Sequence, residues 1–200
     1  MHRLHWTECD FVVVDVEGNG CSPQDIVEVA AVHIDKGREQ ATRVWMARPC
    51  RPITTQATRV HGITNEHVAR ERPFADFAEE IRADLGSAII VGHHVGIDLS
   101  LLAREIPNWQ PGTSIDTLRL AKHLFPTFGG HSLEALTRRL GLKDTSVCHR
   151  AREDAQATAR LFIEFASRLA GQMHLDLLTL ARLGASRDDP LLRDQQGTLF

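Results

Sequence analysis

The chain has 200 residues, 42% of them hydrophobic and 24% charged, and a formal net charge of −3. This length can bury a complete hydrophobic core, and the composition is that of an ordinary globular protein. The slight acidic excess excludes attraction to nucleic acid by overall charge, so such binding would need local patches or metal ions. No CxxC pair, signal-peptide core or membrane-length apolar run is visible, so we expect a cytoplasmic protein that does not associate with membranes.

Three strands joined by short turns are expected near the beginning of the chain. The segment DFVVVDVE, with its apolar run, predicts a strand over residues 10–17, and turn-forming residues at 18–25 separate it from a second strand over 26–34. A charged turn and a third strand over 41–49 follow. Strands connected this closely indicate an antiparallel meander.

Helices then alternate with two further strands. The buried strand is SAIIVGH, and a very short strand precedes the helix in SIDTLRLAKHLFP. Helix boundaries are marked by Thr64 and Ser132 as N-caps and by Gly86 and Gly141 as stop signals. A long helix over 150–171 has small and aromatic residues suited to an inner face. The order predicts an α/β fold in which helices flank a mixed five-stranded sheet.

The end of the chain has a different character. We expect a domain of residues 1–170 and a C-terminal part, 171–200, with an apolar helix in MHLDLLTLARLG. The polar tail after it is expected to be flexible from Ala185 until its last few residues.

Four acidic residues stand in suggestive positions. Asp15 and Glu17 are two residues apart in a strand and therefore share a face, where their charges repel. Asp98 begins a helix after a buried strand, and Asp154 lies in the long helix five residues after His149. Carboxylates at strand ends and strand-to-helix junctions form the oxygen sites that Mg²⁺ and Mn²⁺ prefer. The D-x-E pair alone is equally consistent with a strand end that reaches solvent.

Three motifs carry a resemblance to a known family. The segments FVVVDVEGNG, IIVGHHVGIDLSLL and HRAREDAQATARLF resemble, in this order, the three motifs of DnaQ-like exonucleases of the DEDDh branch. The connecting segments RPITTQATRVHGIT and SIDTLRLAKHLFP are most similar to the exonuclease X-like group. The resemblance covers about residues 10–170 and makes residues 1–170 the expected exonuclease domain. It implies a ribonuclease H-like fold, two Mg²⁺ or Mn²⁺ ions, and 3′→5′ release of nucleoside 5′-monophosphates from DNA ends in repair or proofreading.

The resemblance also implies roles for individual residues. The metal ligands would be Asp15, Glu17, Asp98 and Asp154, and His149 would be the general base. Asp15 would bridge both ions, Glu17 and Asp154 would hold the ion that binds the attacking water, and Asp98 would hold the other. An exoribonuclease of the same superfamily, or a catalytically silent clamp-tethered nucleic-acid-binding module, remains the alternative at this point.

Some positions depart from the family pattern. Gly18 replaces the usual Thr, His94 the usual Asn, and Ile97 the usual Phe, all at positions that help to place the terminal nucleotide or pack behind the metals. Gly18 and His94 are therefore candidate substrate-binding residues. His61, in the segment VHGIT, is a further candidate that could lie near the nucleotide or equally pack within its loop.

Other residues of these segments have structural explanations. We expect Glu28 to satisfy the sheet edge or the backbone and Asp116 to cap a helix. His93 and His94 have no Cys or His at zinc-ligand spacing, so we do not expect a zinc site there.

The last five residues, QGTLF, resemble the peptide that binds bacterial sliding clamps. Gln196 would supply an amide, and Leu199 with Phe200 would be apolar anchors in a pocket of the clamp. The alternative is that Leu199 and Phe200 pack on the protein's own surface.

Overall fold

A mixed five-stranded sheet forms the centre of the computed structural model, which describes residues 3–142, 150–186 and 189–196. The strands have the spatial order β3-β2-β1-β4-β5. Strand β1 is antiparallel to β2 and parallel to β4, β2 is antiparallel to β3, and β4 is parallel to β5. The bounds of the strands are β1 Phe11–Gly18, β2 Ile26–Asp35, β3 Arg38–Met46, β4 Ile89–Gly92 and β5 Ser114–Asp116. The predicted fold class is confirmed, and β3 begins and ends three residues before its predicted position.

Helices flank the sheet and follow most of the predicted signals. Thr64 and Ser132 are N-caps whose side chains accept hydrogen bonds from backbone N–H groups, and helices end at Gly86 and Gly141 as predicted. The helices are α1 Thr55–His61, α2 Asn65–Val68, α3 Ala78–Leu85, α4 Gly96–Glu105, α5 Thr117–Leu124, α6 Leu133–Leu140, α7 Ala151–Ala170, α8 Leu177–Gly184 and α9 Pro190–Gln196. Short 3₁₀ turns cover Trp6–Glu8 and Phe74–Asp76.

Helix α1 lies in a segment to which the sequence analysis assigned no element. Its signals are present in the chain, since Thr54 accepts a hydrogen bond from the N–H of Ala57 and Gly62 ends the helix at φ +73°. A left-handed residue of this kind at a helix end favours glycine.

Alternate residues of β1 enter two separate cores. Phe11 and Val13 pack with Phe162 and other residues of the α7 inner face, and Val12 and Val14 pack with α3 and α4. These four side chains are all buried, because both faces of the central strand are covered. A strand covered on both faces has a continuous apolar sequence. The strand that carries Asp15 and Glu17 is therefore fixed from both sides.

The C-terminal helices pack on the same core as α7. Leu177 and Leu180 of α8 and Leu191 of α9 belong to that core. The buried Asp189 carboxylate accepts hydrogen bonds from the N–H groups of Ser114 (2.9 Å) and Leu191 (3.0 Å), which attaches α9 to β5. The sequence predicted a flexible tail from Ala185, but residues 189–196 instead form this attachment and α9. The domain division at residue 170 stays a prediction, and residues 197–200 lie outside the described part of the chain.

No helix in the described part of the chain is long and apolar enough to cross a membrane.

Candidate metal centre

Three of the four predicted acidic ligands lie together at the end of β1. Asp15, Glu17 and Asp154 each offer a carboxylate oxygen, and these oxygens all lie within 4.8 Å of one another. The central strand β1 supplies the first two from one face, and the first turn of α7 supplies the third. Residues distant in sequence therefore meet because α7 packs against β1.

Asp98 joins this end of the sheet from the other side. It lies in the first turn of α4, which directly follows β4. Its Oδ1 accepts a hydrogen bond of 2.9 Å from the backbone N–H of Val16, between the two acids of β1. Asp98 is not part of the group of three oxygens, but its contact with Val16 places it beside that group. The structure therefore brings all four acids to one site, with Asp98 at its margin.

Burial and mutual repulsion dominate the electrostatics of these acids. Burial, followed by the charges of Asp98, Glu17 and Asp154, raises the pKa of Asp15 well above its ordinary value. Burial, followed by the charges of Asp154 and Glu28, raises the pKa of Glu17 to about 8. The pKa of Asp98 is raised to about 7 by burial, against the opposing effect of its hydrogen bonds to backbone N–H groups.

This arrangement fits a hard divalent cation. The clustered atoms are all carboxylate oxygens, which are the ligands that Mg²⁺ and Mn²⁺ prefer. A bound cation would also offset the repulsion that keeps protons on these groups. The ligand role of each residue stays a prediction.

A fifth carboxylate, Glu28, lies beside the cluster and is 1% exposed. It stands opposite Glu17 in the β1–β2 pairing. Its oxygens accept hydrogen bonds from Arg150 Nε (3.1 Å), Arg150 Nη2 (2.6 Å) and the N–H of Ala151 (2.9 Å). Glu28 satisfies a backbone group, as the sequence predicted, but that group belongs to α7 and not to the sheet.

His61 is buried and has both ring nitrogens engaged. Its Nδ1 accepts a hydrogen bond from the N–H of Ile63 (3.0 Å), which assigns the proton to Nε2, and Nε2 donates to the carbonyl of Gly18 (3.2 Å). Burial lowers the pKa of His61, which keeps the ring neutral at pH 7. Two of the predicted substrate-binding residues, His61 and Gly18, therefore contact each other.

A cleft of about 260 Å³ opens beside Glu17. Its lining includes Gly18, Thr54, Val60 and His61. A Cβ on residue 18 would come within 2.3 Å of the Gln24 side chain, so the glycine makes room for Gln24, which also lines this cleft. Sequence reasoning missed this cleft, because it depends on α1.

His94 and Ile97 are exposed at the beginning of α4, close to Asp98 in sequence. The N–H of His94 donates to Asp116 Oδ1 (2.8 Å), which also accepts from the N–H of Leu118 and caps α5 as predicted. His94 has φ +67°, a conformation in which Asn, Asp and His are enriched, so the family's usual Asn has a tolerable replacement here. His149 lies outside the described residues, directly before Arg150.

Known proteins resemble this chain over most of its length. The model of the exonuclease (RNase T) family matches residues 12–162. The chain is 33% identical over 180 residues to the 3′-5′ exonuclease DinG of Bacillus subtilis, covering 86% of this chain and 19% of that protein. It is 36% identical over 162 residues to the DNA polymerase III subunit epsilon-like protein of Rhodobacter capsulatus, covering 76% of this chain and 23% of that one. The solved structure of Exonuclease X in complex with 5′ overhanging duplex DNA has a TM-score of 0.67 and 28% identity, covering 86% of this chain and 99% of that chain.

These similarities define first a class and then a family. The sheet topology is that of ribonuclease H-like α/β proteins, with the acidic cluster at the end of its central strand. The chain belongs to the exonuclease family, within the DnaQ-like superfamily that its motifs predicted. It spans 19% and 23% of the lengths of the two curated relatives named here.

Proposed function

We propose that the chain is a divalent-metal-dependent 3′→5′ exonuclease that releases nucleoside 5′-monophosphates from DNA ends. The group formed by Asp15, Glu17 and Asp154, in a chain of the exonuclease family, carries this proposal. A catalytically silent binding module would not need three half-buried carboxylates whose burial and mutual repulsion lower the stability of the fold.

The cluster would hold two ions. Asp15, Glu17 and Asp154 would hold one, and Asp15 with Asp98 would hold the second. Such ions bind the scissile phosphate, activate water and stabilise the leaving oxygen. The hydrogen bond from Val16 to Asp98 keeps that carboxylate directed toward β1.

His149 would be the general base. An imidazole titrates near neutral pH and can accept the proton of the attacking water. Its neighbour Arg150 is held by Glu28, so the residue next to His149 has a fixed position at the beginning of α7.

The cleft beside Glu17 would accept the terminal nucleotide. Gly18 would border it with its backbone, and His61 would act through the Gly18 carbonyl. Val60 and Ile97 are among the few large apolar side chains exposed in the described residues, and one lies in the cleft while the other adjoins Asp98 in sequence. Apolar groups in these places suit a nucleobase, and His94 would contribute from the beginning of α4.

DNA is the proposed substrate, because the similar Exonuclease X structure contains 5′ overhanging duplex DNA. A role in DNA repair or proofreading belongs to the same proposal. Gln196, Leu199 and Phe200 would additionally tether the enzyme to a bacterial sliding clamp. Helix α9 ends at Gln196, where the proposed peptide begins.

The test uses end-labelled single-stranded DNA, duplex DNA with a 5′ overhang, and RNA, each with Mg²⁺, with Mn²⁺ or with EDTA. We expect stepwise shortening of the DNA substrates from the 3′ end, with 5′-monophosphates as products, only when metal is supplied. Asp154→Asn should abolish this activity, whereas Glu153→Gln, one residue earlier in the same helical turn, should retain it. Faster degradation of RNA would favour the exoribonuclease, and full activity of Asp154→Asn or activity in EDTA would contradict the mechanism.

A further inference from the structure

The first turn of α7 is held by a residue of the sheet. The first N–H groups of a helix have no acceptor within the helix, and Arg150, at the N-cap position of α7, supplies none from its side chain. Glu28 supplies the acceptor instead, at 2.9 Å from the N–H of Ala151. A carboxylate at this place also interacts favourably with the helix dipole.

The same carboxylate fixes Arg150, which in turn contacts Asp154. The Arg150 guanidinium donates two hydrogen bonds to Glu28, with Nη2 at 2.6 Å from Oε1 and Nε at 3.1 Å from Oε2. The carbonyl of Arg150 accepts the hydrogen bond of the Asp154 N–H at 3.0 Å. A continuous series of contacts therefore connects Glu28 on β2 to the backbone of Asp154.

The position of Glu28 beside the acidic cluster is not explained by a stabilising effect on that cluster. Its negative charge is among those that raise the pKa of both Asp15 and Glu17, so it adds repulsion to a crowded site. Replacing a buried ion pair by apolar groups is often neutral or stabilising. The placement is explained if Glu28 controls where α7 begins.

We propose that Glu28 is a positioning residue: through Arg150 and Ala151 it sets the first turn of α7 and so places Asp154 against Asp15 and Glu17 for metal binding. This inference rests on the proposed metal site.

Arg150→Met distinguishes positioning from simple electrostatics. Removing a positive charge near a cation site would strengthen Mn²⁺ binding if charge alone mattered. Loss of positioning should weaken it, by about 10–100-fold as for other residues that orient metal ligands. Arg150→Lys should recover part of the affinity, because it keeps the positive charge and one donor nitrogen in place of the two that Arg150 uses.

A matched control exists on the other side of the sheet. Arg43 donates to the nearly buried Asp84 at 3.0 Å, away from the cluster. Arg43→Met therefore makes the same substitution at another ion pair with a shielded carboxylate. It should leave Mn²⁺ affinity unchanged even if the melting temperature falls.

The measurements are Mn²⁺ affinity by titration calorimetry or electron paramagnetic resonance, and melting temperature in EDTA, on the full chain. The proposal is supported if Arg150→Met and Glu28→Gln each bind Mn²⁺ more weakly than the wild type, and if the double variant has an Mn²⁺ affinity no lower than that of either single variant. Unchanged or tighter binding by Arg150→Met overturns it. A wild-type chain that binds Mn²⁺ but degrades no nucleic acid would refute the proposed function and leave this inference standing.

Discussion

Without metal, the protein should lose stability as the pH rises from 6.5 to 8. The pKa of Glu17 is about 8 in the folded protein against an ordinary value of 4.5, and that of Asp98 is about 7 against 3.8. Across this interval the folded state therefore holds more protons than the unfolded state, and the free energy of unfolding falls with pH. Burial lowers the pKa of His61 and His93, so these residues have the opposite effect on stability, and that effect is confined mainly to the lower end of the interval and to lower pH.

The expected loss follows from about 1.4 kcal/mol per pH unit for each extra proton held. Glu17 keeps its proton over most of the interval and accounts for about 2 kcal/mol, while Asp98 adds less than about 1 kcal/mol. Asp15 acts in the same direction. For a chain of this size, the combined loss corresponds to a decrease in melting temperature of about 5–10 °C.

Melting temperatures in EDTA and in Mg²⁺, at pH 6.5 and at pH 8, test this reasoning. Mg²⁺ binds the ionised carboxylates, so the stabilisation by metal should be larger at pH 8. Glu17→Gln should show a smaller decrease in EDTA, whereas Glu134→Gln, on an exposed face of α6, should behave like the wild type. A melting temperature in EDTA that stays constant or rises across the interval would refute the reasoning.

Two further predictions concern residues outside the described part of the chain. His149→Ala should lower turnover by about 10²–10⁴-fold while Mn²⁺ and DNA binding persist, and loss of Mn²⁺ binding with an intact fold would instead identify a ligand. The Leu199→Ala, Phe200→Ala double variant should no longer bind a bacterial sliding clamp and should keep its melting temperature and its activity on short oligonucleotides. A clear loss of stability, together with no clamp binding by the unaltered chain, would indicate that the pair packs on the protein.

Local patterns explain why the sheet and most helices could be predicted. Strands β1 and β4 are apolar runs because both of their faces are covered, and caps such as Ser132 and Gly141 act through short-range geometry. The predicted position of β3 was three residues too late, because the first half of the strand is polar and largely exposed and has no apolar pattern to mark it. Helix α9 was missed because its attachment depends on Asp189 meeting the N–H of Ser114, a contact between distant parts of the chain.

The candidate site divides in the same way. Asp15, Glu17, Asp98 and Asp154 could be named because the family's motifs are local. The pairing of Glu28 with Arg150 could not be predicted, because two residues so distant in sequence come together only through the packing of α7 on the sheet.

The most direct test of the central claim is anomalous diffraction from crystals of the wild-type chain soaked in Mn²⁺. The proposed mechanism predicts an anomalous peak coordinated by carboxylate oxygens of Asp15, Glu17 and Asp154, and loss of that peak in Asp154→Asn crystals soaked in the same way. The absence of a peak among these three residues at saturating Mn²⁺ would contradict it.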